Sequence, residues 1–296
     1  MCVTGNPPLD HLSPILREND AASLRCDLPD TAVVHLLRQC NPPEAFVRFI
    51  ESYRRNAESL PHDLIVIFKG FGVGEDAWAL EALAGIRFQR VDCLDAEFDL
   101  GPYLHFGRSL PYRYFCFLNS FSYILAENWL TKLSVALREL PHAGVVGATG
   151  NWQSMFSDMP FPNPHIRTNS FLISKELLCQ LRSWPMREKL DCYRFESGAN
   201  GLTNQILRRG LEPYVVDCHG RGWRKEQWNL SRTLRSCDQE CLLVADSSTD
   251  AYQFGSPRRR RKLMRFAWTP PRVSAIRWLK DRLGICPRRT SLGASD

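Results

Sequence analysis

The stretch Tyr112-Arg113-Tyr114-Phe115-Cys116-Phe117-Leu118 constrains the fold more than any other part of the chain. It is aromatic-rich, poor in polar residues, and has the character of a buried strand. It stops abruptly at Asn119-Ser120-Phe121-Ser122, and a helical segment follows over residues 126–140. A strand that breaks into a short polar corner and then a helix belongs to an open α/β sheet. In such sheets ligands bind just beyond the carboxyl ends of the strands. The corner at Asn119 is therefore the first candidate for a site.

The flanking sequence repeats the same alternation. Residues 31–37 read as the first strand. Asn41-Pro42-Pro43-Glu44 then starts a helix, with Asn41 as cap, Pro42 at the first helical position and Glu44 completing an arrangement like a capping box. Phe46, Phe49, Ile50 and Tyr53 give that helix one apolar face. Leu64-Ile65-Val66-Ile67-Phe68 is a continuous apolar run, expected of a strand covered on both faces. A helix over 75–84, a strand over 88–91, a helix over 102–109 and a strand over 144–147 complete the first half. This alternation predicts a parallel, doubly wound sheet. The second half is less regular. It reads as a strand at 168–173, a short helix at 175–181, a helix ending near Arg209 with Gly210 as cap, and a strand at 214–216.

Composition sets the limits. A chain of 296 residues, 44% of them hydrophobic, supports one large α/β domain or two small ones. No apolar run approaches the roughly 20 residues that span a bilayer. The opening Met1-Cys2-Val3-Thr4-Gly5-Asn6-Pro7-Pro8 lacks the basic and apolar regions of a secretory signal. The 11 cysteines are odd in number and follow no framework, and several lie in apolar runs (Cys93, Cys116, Cys179), which suits free thiols in a reducing cytoplasm. Cys237-x3-Cys241 has no second Cys/His pair at zinc-site spacing, so ordinary thiols are the expectation there.

Charge divides the chain. From residue 256 onward there are 12 Lys/Arg and 2 Asp/Glu, a balance of +10, while the whole chain carries +6, so residues 1–255 sum to −4. We read residues 1–30 as an irregular arm, 31–255 as the folded domain and 256–296 as a basic amphipathic tail. Within the tail, Ile276, Leu279 and Leu283 form an apolar face over residues 272–283. An acidic body with a basic tail argues against specific nucleic-acid binding by the fold and suits an anionic membrane surface.

Five constellations carry candidate chemistry, each with a plainer alternative. Asp95 and Asp99 precede Gly101 and a helix start. Asp99 either caps that helix or contacts a nucleoside. Asn119 and Ser120 form either a plain polar turn or a site that hydrogen-bonds a diphosphate, with oxygens that ligate Mg²⁺ only weakly. His165-Ile166-Arg167-Thr168-Asn169 is a surface loop or a phosphate site, since the Arg167 fork matches phosphate oxygens. Glu196 stands before Gly198 and Gly201. It acts as a base toward a hydroxyl, or it interacts with a helix dipole, and the glycines hint that something approaches the backbone closely. Asp217-Cys218-His219-Gly220 offers Asp217 and His219 as metal ligands, or a structural turn.

Taken together these strings resemble a bacterial family similar to GT-A glycosyltransferases, of the kind that builds cell-surface polysaccharides and rhamnans. The resemblance is carried by Asp95-x-x-Phe98-Asp99-x-Gly101-x-Tyr103, Phe117-Leu118-Asn119-Ser120, Val146-Gly147-Ala148-Thr149-Gly150, His165-Ile166-Arg167-Thr168-Asn169 and Glu196-Ser197-Gly198, over residues 31–252. It implies a GT-A-like (Rossmann-like) α/β fold, a nucleotide-sugar donor and a hydroxyl acceptor on a glycan or glycolipid. It implies Glu196 as general base, and donor contacts from Asp95, Asp99, Asn119, Ser120, Arg167, Thr168 and Asn169. Such enzymes hold Mn²⁺ or Mg²⁺ on an Asp-x-Asp element. Here Asn119-Ser120 stands in its place, a departure that weakens the expectation of metal and keeps a second role open. That role is a non-catalytic nucleotide- or sugar-binding partner in a polysaccharide assembly complex. The free thiols and the basic tail place the protein in the cytoplasm, at the inner face of the plasma membrane.

Overall fold

The computed structural model describes residues 29–270. The arm over residues 1–28 and the amphipathic face at Ile276, Leu279 and Leu283 lie outside the described residues. The first half alternates as expected. It runs β1 (Thr31–Arg38), α1 (Pro43–Arg55), β2 (Asp63–Lys69), α2 (Ala77–Ala82), β3 (Phe88–Cys93), α3 (Leu100–Ser109), β4 (Tyr114–Leu118), β5 (Tyr123–Ile124), α4 (Trp129–Glu139) and β6 (Ala143–Gly147). Then come β7 (Gly150–Asn151), β8 (His165–Ile166), β9 (Ser170–Ser174), α5 (Lys175–Gln180), α6 (Lys189–Ser197), α7 (Leu202–Leu207), β10 (Glu212–Val216) and β11 (Gly222–Arg224). A 3₁₀ turn (Lys225–Leu230), β12 (Val244–Ala245), α8 (Ser247–Gln253) and α9 (Pro257–Trp268) complete the described chain.

Eight strands form one sheet in the order β11-β10-β6-β9-β4-β1-β2-β3. It is mostly parallel and flanked by helices. β9 departs from the expected parallel pattern and runs antiparallel to both β4 and β6. The chain runs from β6 to its neighbour β9 through β7 and β8 with no helix between, and a parallel neighbour would need a crossover. β11 is the other antiparallel strand, at one edge.

Strand residues alternate between two cores, as the pleat requires. Val34, Leu36, Ile65, Phe115, Phe117 and Phe171 pack with α3, α5, α6 and α7. Val33, Leu64, Val66, Cys116, Leu118 and Leu172 pack on the opposite face with α1, α2 and α4. Both faces are covered, which is why these strands read as unbroken apolar runs. Cys116 is buried as expected, whereas Cys179 is exposed.

Two local expectations change. Pro42, not Asn41, is the cap of α1, and no side chain caps that end. The other concerns the first half of the basic segment, which is α9, docked on the domain. Ser256 caps α9 through the Arg259 N–H, and Ala267 is buried with its carbonyl accepting from the Trp152 N–H. Trp268 meets Trp152 edge-on at 5.3 Å and donates its Nε1–H to the Leu234 carbonyl. A few apolar residues spaced within a run of arginines carry this packing, so the charge run concealed it.

Candidate functional site

The chain leaves β1 toward β2 and β3 on one side, and takes up β4 on the other. At such a reversal the loops diverge and open a crevice above the carboxyl ends of the strands. A cavity of about 680 Å³ lies there. Arg38, the last residue of β1, and Asn119, the first after β4, both line it. The start of α3 adds Asp99, the β8–β9 loop adds Arg167, Thr168 and Asn169, and α6 adds Glu196. The segment before β12 adds Arg235, and the cap of α8 adds Asp246.

Arg167 and Asp246 form a buried ion pair. Arg167 Nη2 donates to Asp246 Oδ2 at 2.6 Å, and Nη1 to Oδ1 at 3.4 Å. Asp246 also accepts the Ser248 and Thr249 N–H groups at the head of α8. Burial would raise the Asp246 pKa, but Arg167 and those N–H groups outweigh it and hold the carboxyl below its ordinary value. Burial opposes the Arg167 charge too, yet Asp246 keeps that guanidinium above its ordinary value. Arg235 faces the same carboxylate. Burial first, and the Arg167 charge second, bring it down to about 10, so it remains a cation at neutral pH.

Glu196 is the penultimate residue of α6, at the negative end of that helix. The α6 dipole therefore does not favour its charge. Its Oε2 accepts both the Thr168 N–H at 2.7 Å and the Thr168 hydroxyl at 2.6 Å, while no hydrogen bond from the described residues reaches Oε1. The glycines that follow serve the α6–α7 turn. A Cβ at Gly198 would stand 2.6 Å from the Arg194 carbonyl oxygen, and one at Gly201 would stand 2.9 Å from that of Phe195. What approaches their backbone is α6 itself. His165 lies beside Glu196 and donates Nδ1–H to the Asn163 carbonyl, which leaves Nε2 as the lone-pair nitrogen. Burial lowers its pKa, with the Glu196 charge opposing.

Asn119 presents a donor rather than an acceptor. Its Oδ1 is occupied by the Phe121 N–H and the Ser122 hydroxyl, both at 3.0 Å, so the amide nitrogen is the end left for a ligand. Asn169 is similar: Oδ1 accepts from the Thr149 hydroxyl, and Nδ2 is buried without a partner. Asp99 is not a helix cap by side chain. Its Oδ1 makes no hydrogen bond, and Arg38 Nη1 stands 3.7 Å away. Asp95 is not among the lining residues. It neutralises Arg38 at 3.0 Å and the buried Lys69, two cations that sit side by side at the ends of β1 and β2. Ser120 is buried, and also not among the lining residues.

Asp217 and His219 lie outside the cavity. Asp217 is buried, and its carboxylate accepts from the His219 and Arg221 N–H groups and from Trp223 Nε1. It organises the turn after β10. Within the cavity, the oxygens a hard cation would need are largely committed. Asn119 Oδ1 is in its turn, Asp246 is paired, and Glu196 Oε2 is held by Thr168. Asp99 Oδ1 and Glu196 Oε1 are the carboxylate oxygens left open there. Positive charge comes from Arg38, Arg167, Lys189 and Arg235, against Asp99, Glu196 and Asp246.

No protein-family model matches the chain, and no curated protein matches it either. Among solved structures it is similar to a mannosyltransferase from Pyrobaculum calidifontis in complex with GDP-Man and Mn²⁺, with a TM-score of 0.48 and 11% identity over 70% of this chain and 61% of that one. It is similar also to mouse xyloside xylosyltransferase 1 in the apo form, with a TM-score of 0.39 and 14% identity over 64% of this chain and 86% of that one. A third is the bifunctional WbbM enzyme in the apo form, with a TM-score of 0.36 and 12% identity over 52% of this chain and 32% of that one. All three are glycosyltransferases. The chain spans about three fifths of the mannosyltransferase's length. At these scores the likenesses carry no argument about chemistry, which rests on this chain's own residues.

Three lining residues escape sequence reasoning. Arg38 ends a buried strand, Arg235 lies in an irregular loop with a left-handed φ of 47°, and Asp246 looks like any helix cap. For Asp246 a signal exists: Asp246-Ser247-Ser248-Thr249 is a capping string, though nothing in it announces a buried arginine partner.

Proposed function

We propose that the chain is a glycosyltransferase that moves a sugar from a nucleoside-diphosphate donor to a hydroxyl of a glycan or glycolipid, in the synthesis of a surface polysaccharide. One observation carries this reading. Arg38 Nε, Asp99 Oδ1, Asn169 Nδ2 and Arg235 Nε are buried polar atoms without hydrogen-bond partners among the described residues, and all four belong to residues that line the switch-point cavity. Folded proteins rarely leave such atoms unpaired. Three of them are donors and one is a carboxylate oxygen, which fits a ligand with a diphosphate at one end and hydroxyl or base N–H groups at the other.

In this scheme Asp99 accepts from the nucleoside. Arg167, Arg235 and the amides of Asn119 and Asn169 surround the diphosphate, with Thr168 holding the base in place. Glu196 Oε1 takes the proton from the acceptor hydroxyl as its oxygen attacks the anomeric carbon from the face opposite the diphosphate. The O–H bond breaks, a C–O bond forms, and the C–O bond to the diphosphate breaks with inversion. The leaving group carries its new charge onto the arginines. No step is assigned to a metal.

The acceptor side is suggested by α9. Arg258, Arg261, Lys262 and Arg265 recur at i, i+3, i+4 and i+7 and line a second cavity, which shares Gln153 and Phe266 with the first. No ion pair is formed by any of the four among the described residues. Such a stripe suits an anionic membrane surface on the cytoplasmic side. No described helix is long and apolar enough to cross a membrane.

A second reading, a non-catalytic binding partner, is favoured by the absence of an acidic pair at Asn119-Ser120. A thermal-shift screen of UDP-, GDP-, TDP- and CMP-sugars in EDTA and in Mn²⁺, followed by turnover with the best donor, separates the two. Stabilisation with donor consumption supports the enzyme, stabilisation alone supports the binder, and no response to any donor overturns both.

A further inference from the structure

Cys218 and His219 on the β10–β11 turn meet Cys241 from the loop before β12, and their ligand atoms all lie within 4.8 Å of one another. Sequence spacing paired Cys241 with Cys237, but the fold pairs it with Cys218, 23 positions away in the chain. Cys237 has a left-handed φ of 48°, and its carbonyl accepts from Tyr252 and Arg260. It takes no part in the cluster.

We propose that Cys218, His219 and Cys241 bind a Zn²⁺ ion. Two thiolates and a neutral imidazole balance the dication and are the soft and borderline donors that zinc prefers over hard cations. In a tetrahedral site with Zn–S near 2.3 Å and Zn–N near 2.0 Å, ligand atoms stand roughly 3.3–3.8 Å apart. Ligand atoms within 4.8 Å have to draw in by about 1 Å to reach that spacing. The Cys218 N–H donates to the Cys241 carbonyl at 2.8 Å. The Asp217 carboxylate fixes the His219 and Arg221 N–H groups, and Gly220 takes the left-handed φ of 82° that the turn requires. Cys218 and Cys241 are half-buried and His219 is exposed, which leaves the fourth position to water. The nearby carboxylates are engaged elsewhere, Glu240 with Arg232 and Asp238 with Arg260.

The ion would tie the β10–β11 turn to the loop carrying Arg235, a short way before the Asp246 cap. That loop has few regular elements of its own, and its ends supply two charges to the cavity. A metal clip restricts such a segment without touching the reaction.

Full-length protein purified without chelator, dialysed and assayed by elemental analysis should retain about one zinc per chain. Cobalt exchange should produce thiolate-to-cobalt charge-transfer bands together with the strong visible bands of four-coordination. C218S and C241S should lose both signals, H219A should weaken the visible bands, and C237S should retain all of them. Should the serine variants fold poorly, alkylation of the wild type decides. Added zinc should protect Cys218 and Cys241 and leave Cys237 reactive, and a chelator should abolish that protection. Absence of zinc and of a cobalt spectrum, equal protection of Cys237, or a Cys218–Cys241 disulfide found by mass in freshly prepared protein would each overturn the proposal.

Discussion

Asp246 holds Arg167 by two contacts of 2.6 and 3.4 Å while capping α8 with the same carboxylate, and it is almost fully buried. One side chain thus fixes both the cation of the β8–β9 loop and the start of a helix. Asp246→Asn keeps the shape and the cap but leaves Arg167 as a buried charge without a counter-ion. Breaking such a pair from one side costs about 3–5 kcal/mol. Urea unfolding should show a loss of that order, and a loss under about 1 kcal/mol would show that the pair is more hydrated than its burial indicates.

Glu196→Gln should lower turnover by roughly 100-fold or more with donor affinity nearly unchanged. The amide oxygen can still accept from Thr168, so the side chain remains in place without a basic oxygen. Steady-state kinetics beside calorimetric donor binding separates the two effects. Wild-type turnover in the variant removes Glu196 as base.

Donor binding should survive EDTA, because Arg167 and Arg235 supply the charge that a cation would otherwise bring. Arg235→Gln should then weaken nucleoside-diphosphate binding about 10- to 100-fold, the range of a lost charge-assisted hydrogen bond or two. Calorimetry of both proteins in EDTA checks this. If wild-type binding disappears in EDTA, a bound metal contributes to the donor site.

His35 links stability to acid. It stands in the middle of β1, stacked on Phe49 at 3.9 Å, with neither ring nitrogen hydrogen-bonded. Burial lowers its pKa from 6.5 to about 3. The folded state therefore holds the neutral ring, and the unfolded state takes up a proton first. Stability from this residue is complete above pH 6.5 and falls by about 1.4 kcal/mol per pH unit from there toward pH 3. His35→Phe should flatten that limb while leaving stability at pH 7.5 within about 1 kcal/mol, since both orphan nitrogens leave together. Denaturation midpoints measured from pH 7.5 to pH 4 test it. Parallel curves for the two proteins would mean that His35 is not the acid-sensitive group.

The α9 stripe should govern membrane attraction. Charge reversal at Arg261 and Arg265 leaves the packing of Ala267 and Trp268 alone, which a deletion from residue 256 would not. At low salt the wild type should sediment with vesicles containing anionic lipid, and the double variant should remain in solution with its donor binding intact. Each basic residue near such a surface contributes on the order of 1 kcal/mol. Equal behaviour of the two proteins would place the attraction, if any, beyond residue 270.

What the sequence determined by itself was local. Apolar runs such as Leu64-Ile65-Val66-Ile67-Phe68 and stripes such as Phe46, Phe49 and Ile50 specify strands and helices through period and burial, so the layered α/β architecture was legible. The polar corner at Asn119 pointed to the mouth of the sheet because chain direction sets where strands end. Tertiary structure decided what depends on distant partners. It turned β9 antiparallel, folded the basic run into a docked helix, and converted Asp246 from a cap into the counter-ion of Arg167. It spent the oxygen of Asn119 inside its own turn, and it drew Cys241 away from Cys237 to Cys218. Each of these outcomes joins segments far apart in the chain, whereas sequence periodicity reports only on neighbours within a few turns or pleats. A charge, a thiol or an amide acquires its role from whatever the fold sets against it.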